Sequence, residues 1–276
     1  MTRKILAVDL DGTLFDDNKD IAKENLQAIT RMLDAGHILA IDTGRPNHVM
    51  KKLLKRFGIF EHENIYLLGY QGTVGMRSTE DTILFGQYLQ NEPARRLLRY
   101  AIESGNSTLA FEYGNIYSFW ESYDVENYRD LSKEPVAIID DPDELIGHNL
   151  TKIMVINYKN HELLYDFQDA HEAELSQYFE SMFSDVAFLE YIDKDANKGA
   201  GLMQLAEFLD IPVSDTVAVG DERNDISMIN AASTGIAVLN ARDELKAVAD
   251  YITTVDNNHG AVAEVINKFI LNDKSC

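Results

Sequence analysis

The chain has 276 residues with 46 acidic and 25 basic side chains, which give a formal net charge of −21. This charge argues against nucleic acid as a partner, because phosphate backbones are bound by basic surfaces. It also means that an anionic substrate must be held by local positive groups, since the overall field does not attract it. At this length and with an apolar fraction of 45%, we expect an ordinary globular protein of one or two domains.

The sequence lacks the marks of a secreted or membrane protein. The one cysteine, Cys276, cannot form an intrachain disulfide, and we expect it to be an exposed, incidental thiol. Residues 1–4 lead directly into a strand without the apolar core of a signal peptide. No stretch approaches the ~20 apolar residues of a membrane span. We therefore expect a cytoplasmic protein with no membrane partner.

An apolar run that ends in two aspartates opens the chain, with the sequence Ile5-Leu6-Ala7-Val8-Asp9-Leu10-Asp11-Gly12-Thr13. The run predicts a buried parallel strand, which is covered on both faces and need not alternate. Side-chain alternation would place Asp9 and Asp11 on one side, at the sheet edge where open α/β folds bind ligands. Two carboxylates this close need a cation or a shared proton, and hard oxygen ligands suit Mg²⁺. Thr13 would offer its hydroxyl to an anion.

The next segments repeat the strand–turn–helix order. Asp20 is the predicted N-cap of a helix that ends near Gly36. A second strand over 38–42 ends in Thr43-Gly44-Arg45, where the threonine hydroxyl can meet a phosphate oxygen and the glycine lets the backbone approach. Pro46 suits the first position of the following helix. With a third strand over 65–68, the pattern predicts a right-handed βαβ array.

The character of the chain changes between residues 81 and 190, where aromatic residues and short strand candidates predominate. Residues 82–88 predict a strand, and Gly114-Asn115 lies between two further strand candidates as a hairpin signal. We interpret 81–190 as an inserted α/β domain with antiparallel pairing. The core domain would then consist of residues 1–80 and 191–276.

The first pattern returns after the insertion. Lys198 lies in the first turn of a predicted helix, where a cation works against the helix dipole, and a nearby anion would explain this placement. A strand over 216–220 ends in Asp221, and Asn224 and Asp225 follow it closely. The chain thus places polar groups after several core strands.

Together these residues have a chemical sense. Asp9 is placed to attack phosphorus as a carboxylate nucleophile. Asp11 can protonate the leaving alcohol and later deprotonate the water that splits the aspartyl-phosphate. Asp221 would complete the Mg²⁺ site, and Thr43 and Lys198 would bind the oxygens of the transferring phosphoryl group.

The chain has four motifs in order, which are Asp9-Leu10-Asp11-Gly12-Thr13, Thr43-Gly44-Arg45, Lys198, and the residues from Gly220 to Asp225. These motifs resemble those of the haloacid dehalogenase superfamily. The insertion resembles the α/β cap of the Cof-type sugar-phosphate phosphatases of that superfamily. The resemblance implies a Rossmann-like doubly wound parallel sheet core with an inserted α/β cap. It implies that Asp9, Asp221 and the backbone carbonyl of Asp11 bind Mg²⁺. The residues it implies for phosphate binding are Thr43, Gly44, Arg45, Lys198 and Asn224. Asp225 would orient the metal site or Lys198. Where the family often has Asn-Gly after the third strand, this chain has Gln71-Gly72, which puts the substrate in doubt and not the chemistry.

Three functions fit these motifs. The first is a Mg²⁺-dependent phosphatase whose partner is a small phosphorylated metabolite, such as a sugar phosphate or a phosphorylated cofactor. The second is a phosphomutase that passes the same phosphoryl group to another hydroxyl. The third is a non-catalytic phosphate-binding or receiver module, against which the inserted domain and Asp11 argue. The sequence leaves the substrate and the oligomeric state open.

Overall fold

The computed structural model describes residues 2–58 and 61–272, so that Cys276 lies outside the described residues. The chain divides into two compact units. The core unit runs to Gly86 and resumes at Ala196, and the inserted unit is Gln87–Asp195. These boundaries lie six and five residues later than the predicted ones at residues 80 and 190.

Strands and helices alternate along the first part of the core unit. Its elements are β1 (Ile5–Val8), α1 (Lys23–Asp34), β2 (Ile38–Asp42), α2 (Asn47–Leu54), β3 (Ile65–Gly69), β4 (Val74–Arg77) and β5 (Ile83–Gly86). The inserted unit has its own helices and strands. They are α3 (Asn91–Glu103), β6 (Ser107–Glu112), β7 (Asn115–Ser118), α4 (Tyr123–Ser132), β8 (Ala137–Ile138), β9 (Leu150–Ile156), α5 (Glu162–Leu175), β10 (Phe179–Asp185) and β11 (Phe188–Asp193).

The core unit then resumes with a helix. Its remaining elements are α6 (Lys198–Phe208), β12 (Thr216–Gly220), α7 (Ile226–Ala231), β13 (Thr234–Ala237), α8 (Asp243–Lys246), β14 (Tyr251–Ile252) and α9 (Ala261–Val265). A π-helical turn over Ile266–Ile270 continues α9.

The core unit is built on an eight-stranded sheet with the order β14-β13-β12-β1-β2-β3-β4-β5. The strands from β14 to β3 run parallel, whereas β4 and β5 are antiparallel additions at one edge. The chain starts at β1, builds outward through β2 and β3, and later returns to the other side of β1 with β12. The strand order therefore reverses between β1 and β12, which is where doubly wound sheets form a ligand crevice.

The continuous apolar run of β1 is explained by its position. All four of its residues are buried, and its backbone pairs with β12 on one side and β2 on the other. A strand covered on both faces gains from apolar residues at every position. The prediction of a buried parallel strand for this run is confirmed.

Several local predictions were wrong. The N-cap of α1 is Ala22 and not Asp20, and Pro46 is the N-cap residue of α2 instead of its first helical residue. Residues 83–86 were assigned to the insertion, but they form β5, which pairs with β4 in the core sheet. The pairing of a strand depends on which other strands are available to it. The partner of β5 is β4, which was not predicted from the sequence.

The inserted unit is a six-stranded sheet with the order β10-β11-β9-β6-β7-β8. Its pairs are antiparallel except β7 with β8, and the hairpin at Gly114-Asn115 joins β6 to β7. Alternation along β6 places Ala110 in a cluster with residues of α3 and α5, and Leu109 and Phe111 in a cluster with α4. Helices therefore cover both faces of this sheet, and Phe111 is a core residue of the unit.

Among the described residues, the structure has no helix that is both long and apolar enough to cross a membrane.

Candidate active site

Three neighbouring strands of the core unit deliver polar residues to one edge of the sheet. Asp9, Thr43 and Asp221 directly follow β1, β2 and β12, and these strands lie side by side in parallel register. The backbone N–H of Asp9 donates to the carbonyl of Val219 at 3.1 Å, which continues the pairing beyond the end of β1. All three side chains are buried.

Lys198 is the fully buried cation of this site. It is the first residue of α6, and the side chain of Asn197 caps this helix by accepting from the N–H of Ala200. The Lys198 ammonium donates to Oδ1 of Asp9 at 2.5 Å and to Oδ1 of Asp225 at 2.6 Å. These two carboxylates are the anions that offset the unfavourable position of a lysine at a helix N-terminus.

The two carboxylates also decide the charge of the lysine. Burial would lower the pKa of Lys198, but Asp9 and Asp225 outweigh burial and raise it well above its usual value. The ammonium therefore stays charged inside the protein, held between two acids.

Asp225 fixes the loop that follows β12. Its Oδ2 accepts hydrogen bonds from the backbone N–H groups of Asp221 and Glu222, at 2.9 and 3.0 Å. Gly220 leaves room for this arrangement, because a Cβ at this position would lie 2.5 Å from Cβ of Asp225. Asp225 thus binds both the lysine and the backbone that carries Asp221.

The carboxylates of Asp9, Asp221 and Asp225 each offer an oxygen, and these oxygens lie within 4.8 Å of one another. Burial raises the pKa of Asp9 to about 7, with Lys198 opposing this effect and the nearby Asp225 adding to it. Burial likewise raises the pKa of Asp221 to about 6, against a hydrogen bond from Thr13. Acids crowded together in this way favour a bound cation.

The anion that receives the Thr13 hydroxyl is a side chain of the protein itself. This buried hydroxyl donates to Oδ1 of Asp221 at 2.7 Å, so it orients that carboxylate. Gly12 lies directly beside the same carboxylate, and its φ of +87° together with the lack of space for a Cβ requires glycine there.

The Asp11 carboxylate lies in a different environment from that of Asp9. Because β1 ends at Val8, strand alternation does not extend to these residues. Arg45 donates to both oxygens of Asp11, from Nε at 2.9 Å and from Nη2 at 3.0 Å, and the Lys19 ammonium lies 2.8 Å from Oδ1. Burial would raise the pKa of Asp11, but the hydrogen bonds from these two cations lower it below its usual value.

The remaining predicted phosphate-binding residues lie on neighbouring loops of the core unit. The hydroxyl of Thr43 accepts from the backbone N–H of Arg45 at 3.4 Å, and Gly44 is exposed between them. Asn224 is exposed and donates from Nδ2 to Oε1 of Gln71 at 3.0 Å. The contact between Asn224 and Gln71 links the loops that follow β12 and β3.

Sequence reasoning missed two ionisable residues of this region. Asp42 is fully buried at the end of β2, and both of its carboxylate oxygens lack a hydrogen-bond partner among the described residues. The signal available in the sequence was an acid that ends an otherwise apolar strand. Lys19 reaches Asp11 from a loop in which its own φ is +62°, and nothing in the sequence indicated that conformation.

A sequence profile of the haloacid dehalogenase-like hydrolases matches residues 6–266. The chain belongs to the haloacid dehalogenase-like hydrolase family. The Cof-type resemblance is confirmed, and the chain is an enzyme of this phosphatase family.

Named relatives of this hydrolase are similar over nearly the whole chain. The phosphatase YwpJ of Bacillus subtilis is 26% identical, over 93% of this chain and 96% of the relative. A second protein of that organism, the 5-amino-6-(5-phospho-D-ribitylamino)uracil phosphatase YitU, is 25% identical, over 96% of this chain and 97% of the relative. A haloacid dehalogenase-like hydrolase from Bacteroides thetaiotaomicron has a similar solved structure. The TM-score is 0.78 with 26% identity, over 97% of this chain and 99% of the other.

Proposed function

We propose that this hydrolase is a Mg²⁺-dependent phosphatase that acts on a small phosphorylated metabolite through an aspartyl-phosphate on Asp9. The proposal depends on one observation above all. A buried carboxylate at the end of the central strand lies within hydrogen-bonding distance of a fully buried lysine and close to two further carboxylates. A nucleophile, a cation for the phosphoryl oxygens and oxygen ligands for a metal are thereby brought together.

The donor set fits Mg²⁺. The Asp9, Asp221 and Asp225 oxygens that lie within 4.8 Å of one another are hard, anionic ligands of the kind this ion prefers. Asp9 and Asp221 would hold the ion together with the backbone carbonyl of Asp11, while Asp225 keeps Lys198 and the β12 loop in position. Bound there, Mg²⁺ would neutralise charge between the nucleophile and the phosphate.

The residues of the chain account for both halves of the reaction. Asp9 attacks phosphorus while the bond to the ester oxygen breaks and Asp11 gives that oxygen a proton. Asp11 then takes a proton from water, which attacks the phosphorus of the aspartyl-phosphate and releases Asp9 and inorganic phosphate. The ion pairs with Arg45 and Lys19 stabilise the ionised form of Asp11, so proton donation in the first half requires these pairs to loosen.

The other phosphate-binding roles follow from position. Lys198 would hold phosphoryl oxygens where charge develops in the transition state. Thr43, Gly44 and Arg45 form the loop after β2, and Asn224 extends from the loop after β12. The name of the relative YitU, a 5-amino-6-(5-phospho-D-ribitylamino)uracil phosphatase, supports a phosphorylated small molecule as the substrate. We propose a sugar phosphate or a phosphorylated cofactor.

A panel of phosphate monoesters, assayed for phosphate release with and without Mg²⁺, tests this proposal. We expect release from at least one class of small ester and none after chelation. A metallofluoride should bind to the enzyme in competition with substrate. This binding should be lost when Asp9 is replaced. If the product were an isomerised sugar phosphate without free phosphate, the enzyme would be a phosphomutase. A stable phosphoprotein without turnover would indicate a receiver module.

A further inference from the structure

The segment that follows β3 has an unusual backbone conformation. Tyr70, Gln71 and Gly72 have φ values of +53°, +61° and +82°, so that two non-glycine residues precede a glycine in the left-handed region. A left-handed conformation costs a residue with a Cβ about 1 kcal/mol or more. Something at this position must favour a glutamine over a second glycine.

Backbone contacts attach this segment to the loop after β2. The N–H of Gln71 donates to the carbonyl of Thr43 at 3.1 Å, and the N–H of Tyr70 donates to the carbonyl of Arg45 at 3.2 Å. On the other side, a Cβ on Gly72 would lie 2.7 Å from the carbonyl oxygen of Asn197 and 3.0 Å from Cα of Lys198. Residue 71 is therefore positioned by the loop that carries Thr43 and by the start of α6.

The side chain of Gln71 connects two of the predicted phosphate-binding groups. Its Oε1 accepts from Nδ2 of Asn224, so the amide nitrogen Nε2 remains as a donor on the other side of the group. This Nε2 lies over Gly44, because a Cβ built on that glycine would be only 2.7 Å away from it. A neutral donor is thus held beside the exposed backbone of the β2 loop.

We propose that Gln71 is a substrate-contacting residue that donates from Nε2 to an oxygen of the bound phosphate and, through Oε1, fixes the amide of Asn224. This inference rests on the proposed function only for the identity of the ligand, a phosphate group. The left-handed backbone at residue 71 is then the cost of aiming this side chain across the site.

Substitution by glutamate removes the donor while keeping the contact with Asn224. Gln71→Glu keeps an oxygen that can accept from Asn224 and preserves the length of the side chain, but it removes the donor and adds a negative charge. We expect this variant to bind inorganic phosphate at least about tenfold more weakly than the wild type, measured by calorimetry in the presence of Mg²⁺. Wild-type affinity in Gln71→Glu would overturn direct donation.

The same variant in an Asn224→Ala background completes the test. Direct donation predicts that Gln71→Glu still weakens phosphate binding when Asn224 is absent. If the effect disappeared in that background, Gln71 would act only through Asn224, and the proposed donor would be wrong. Because phosphate binding is measured without turnover, this test gives its answer even if no ester in a substrate panel is hydrolysed.

Glycine substitution tests the link to backbone conformation. Gln71→Gly should leave the melting temperature equal to or above that of the wild type while weakening phosphate binding about tenfold. Asp210→Gly is the matched control, since Asp210 is exposed, has a φ of +53° and lies beyond the far end of α6. It should relieve the same conformation with no change in phosphate affinity. Unchanged affinity in Gln71→Gly would overturn the proposal.

Discussion

The ammonium of Lys198 lies 2.5 Å from Oδ1 of Asp9, although 189 residues separate the two in the chain. The aspartate directly follows the central strand β1, and the lysine begins a helix of the segment that follows the inserted unit. The contact therefore exists only when both parts of the core unit have assembled. The same pair orients the proposed nucleophile and offsets the cost of burying its charge.

Replacement of Asp9 by asparagine should abolish turnover without unfolding the protein. Asn is nearly isosteric with Asp but cannot form the acyl-phosphate, so we expect kcat to fall by at least about 10³-fold. Phosphate release and circular dichroism together check this outcome. Substantial phosphate release by a folded Asp9→Asn variant would remove Asp9 from the role of nucleophile.

Lys198→Ala should lower both activity and stability. The substitution leaves the buried carboxylates of Asp9 and Asp225 facing each other without a cation, and loss of one partner from a buried ion pair costs about 3–5 kcal/mol. Urea unfolding should report a decrease of that order. In the matched control, Lys52→Ala on the exposed face of α2, the free energy of unfolding should change by no more than about 0.5 kcal/mol.

Steady-state kinetics show at which stage Lys198 acts. If it stabilises the transition state, kcat and kcat/KM fall together in Lys198→Ala. A rise in KM alone would mean that the lysine binds the ground state and the transition state equally, contrary to the proposed role.

The parts of the site that were predictable from the sequence are those determined by strand ends. Asp9, Thr43 and Asp221 each follow an apolar run, and parallel strands bring their carboxyl ends to one edge. The cation at the start of α6 could also be inferred, because a lysine in the first turn of a helix requires an anion. Local patterns were sufficient for these features.

Other features depend on contacts that no local pattern encodes. The ion pairs of Asp11 with Arg45 and Lys19 depend on a chain that leaves the strand at Val8 and on a left-handed residue at position 19. The hydrogen bond between Gln71 and Asn224 joins two loops that are 153 residues apart. The extra strands β4 and β5 pair with each other at the sheet edge, and their short, half-apolar sequences do not distinguish them from strands of the inserted unit.

Magnesium binding should strengthen as pH rises. The pKa values of Asp9 and Asp221 are raised by burial to about 7 and about 6, and a metal must displace the protons that these values imply. We expect the dissociation constant for Mg²⁺ to be at least about tenfold larger at pH 5.5 than at pH 8. Calorimetry at the two pH values checks this. A constant that did not change between them would argue against Asp9 as a ligand.

The same shifts determine how the stability of the metal-free protein depends on pH. A carboxyl whose pKa is raised in the folded state destabilises that state as pH rises from its unfolded value near 4 through its folded value. The metal-free protein should therefore lose stability between about pH 4 and about pH 7 through these two groups. Added Mg²⁺ should raise the melting temperature more at pH 8 than at pH 5.5, and the difference should be much smaller in Asp221→Asn.

Asp42→Asn should stabilise the protein at neutral pH. Burial raises the pKa of Asp42 well above its usual value, with Lys198 opposing this effect and the charges of Asp225 and Asp9 adding to it. The folded state thus holds a proton on Asp42 that the unfolded chain gives up above pH 4, and this group becomes more destabilising as pH rises. Asparagine does not titrate, so the stability of the variant relative to the wild type should increase between pH 4.5 and pH 8.

Urea unfolding of both proteins at the two pH values measures the pH dependence that Asp42 adds, through its own titration and through its interactions with Asp9, Asp225 and Lys198. Asp34→Asn, at an exposed position in the last turn of α1, is the matched control and should change stability by no more than about 0.5 kcal/mol at either pH. A stability difference between Asp42→Asn and the wild type that stayed constant from pH 4.5 to pH 8 would show that Asp42 has the same proton affinity in the folded and unfolded states. The buried, unpartnered carboxyl at the end of β2 would then have to be satisfied by water or a cation.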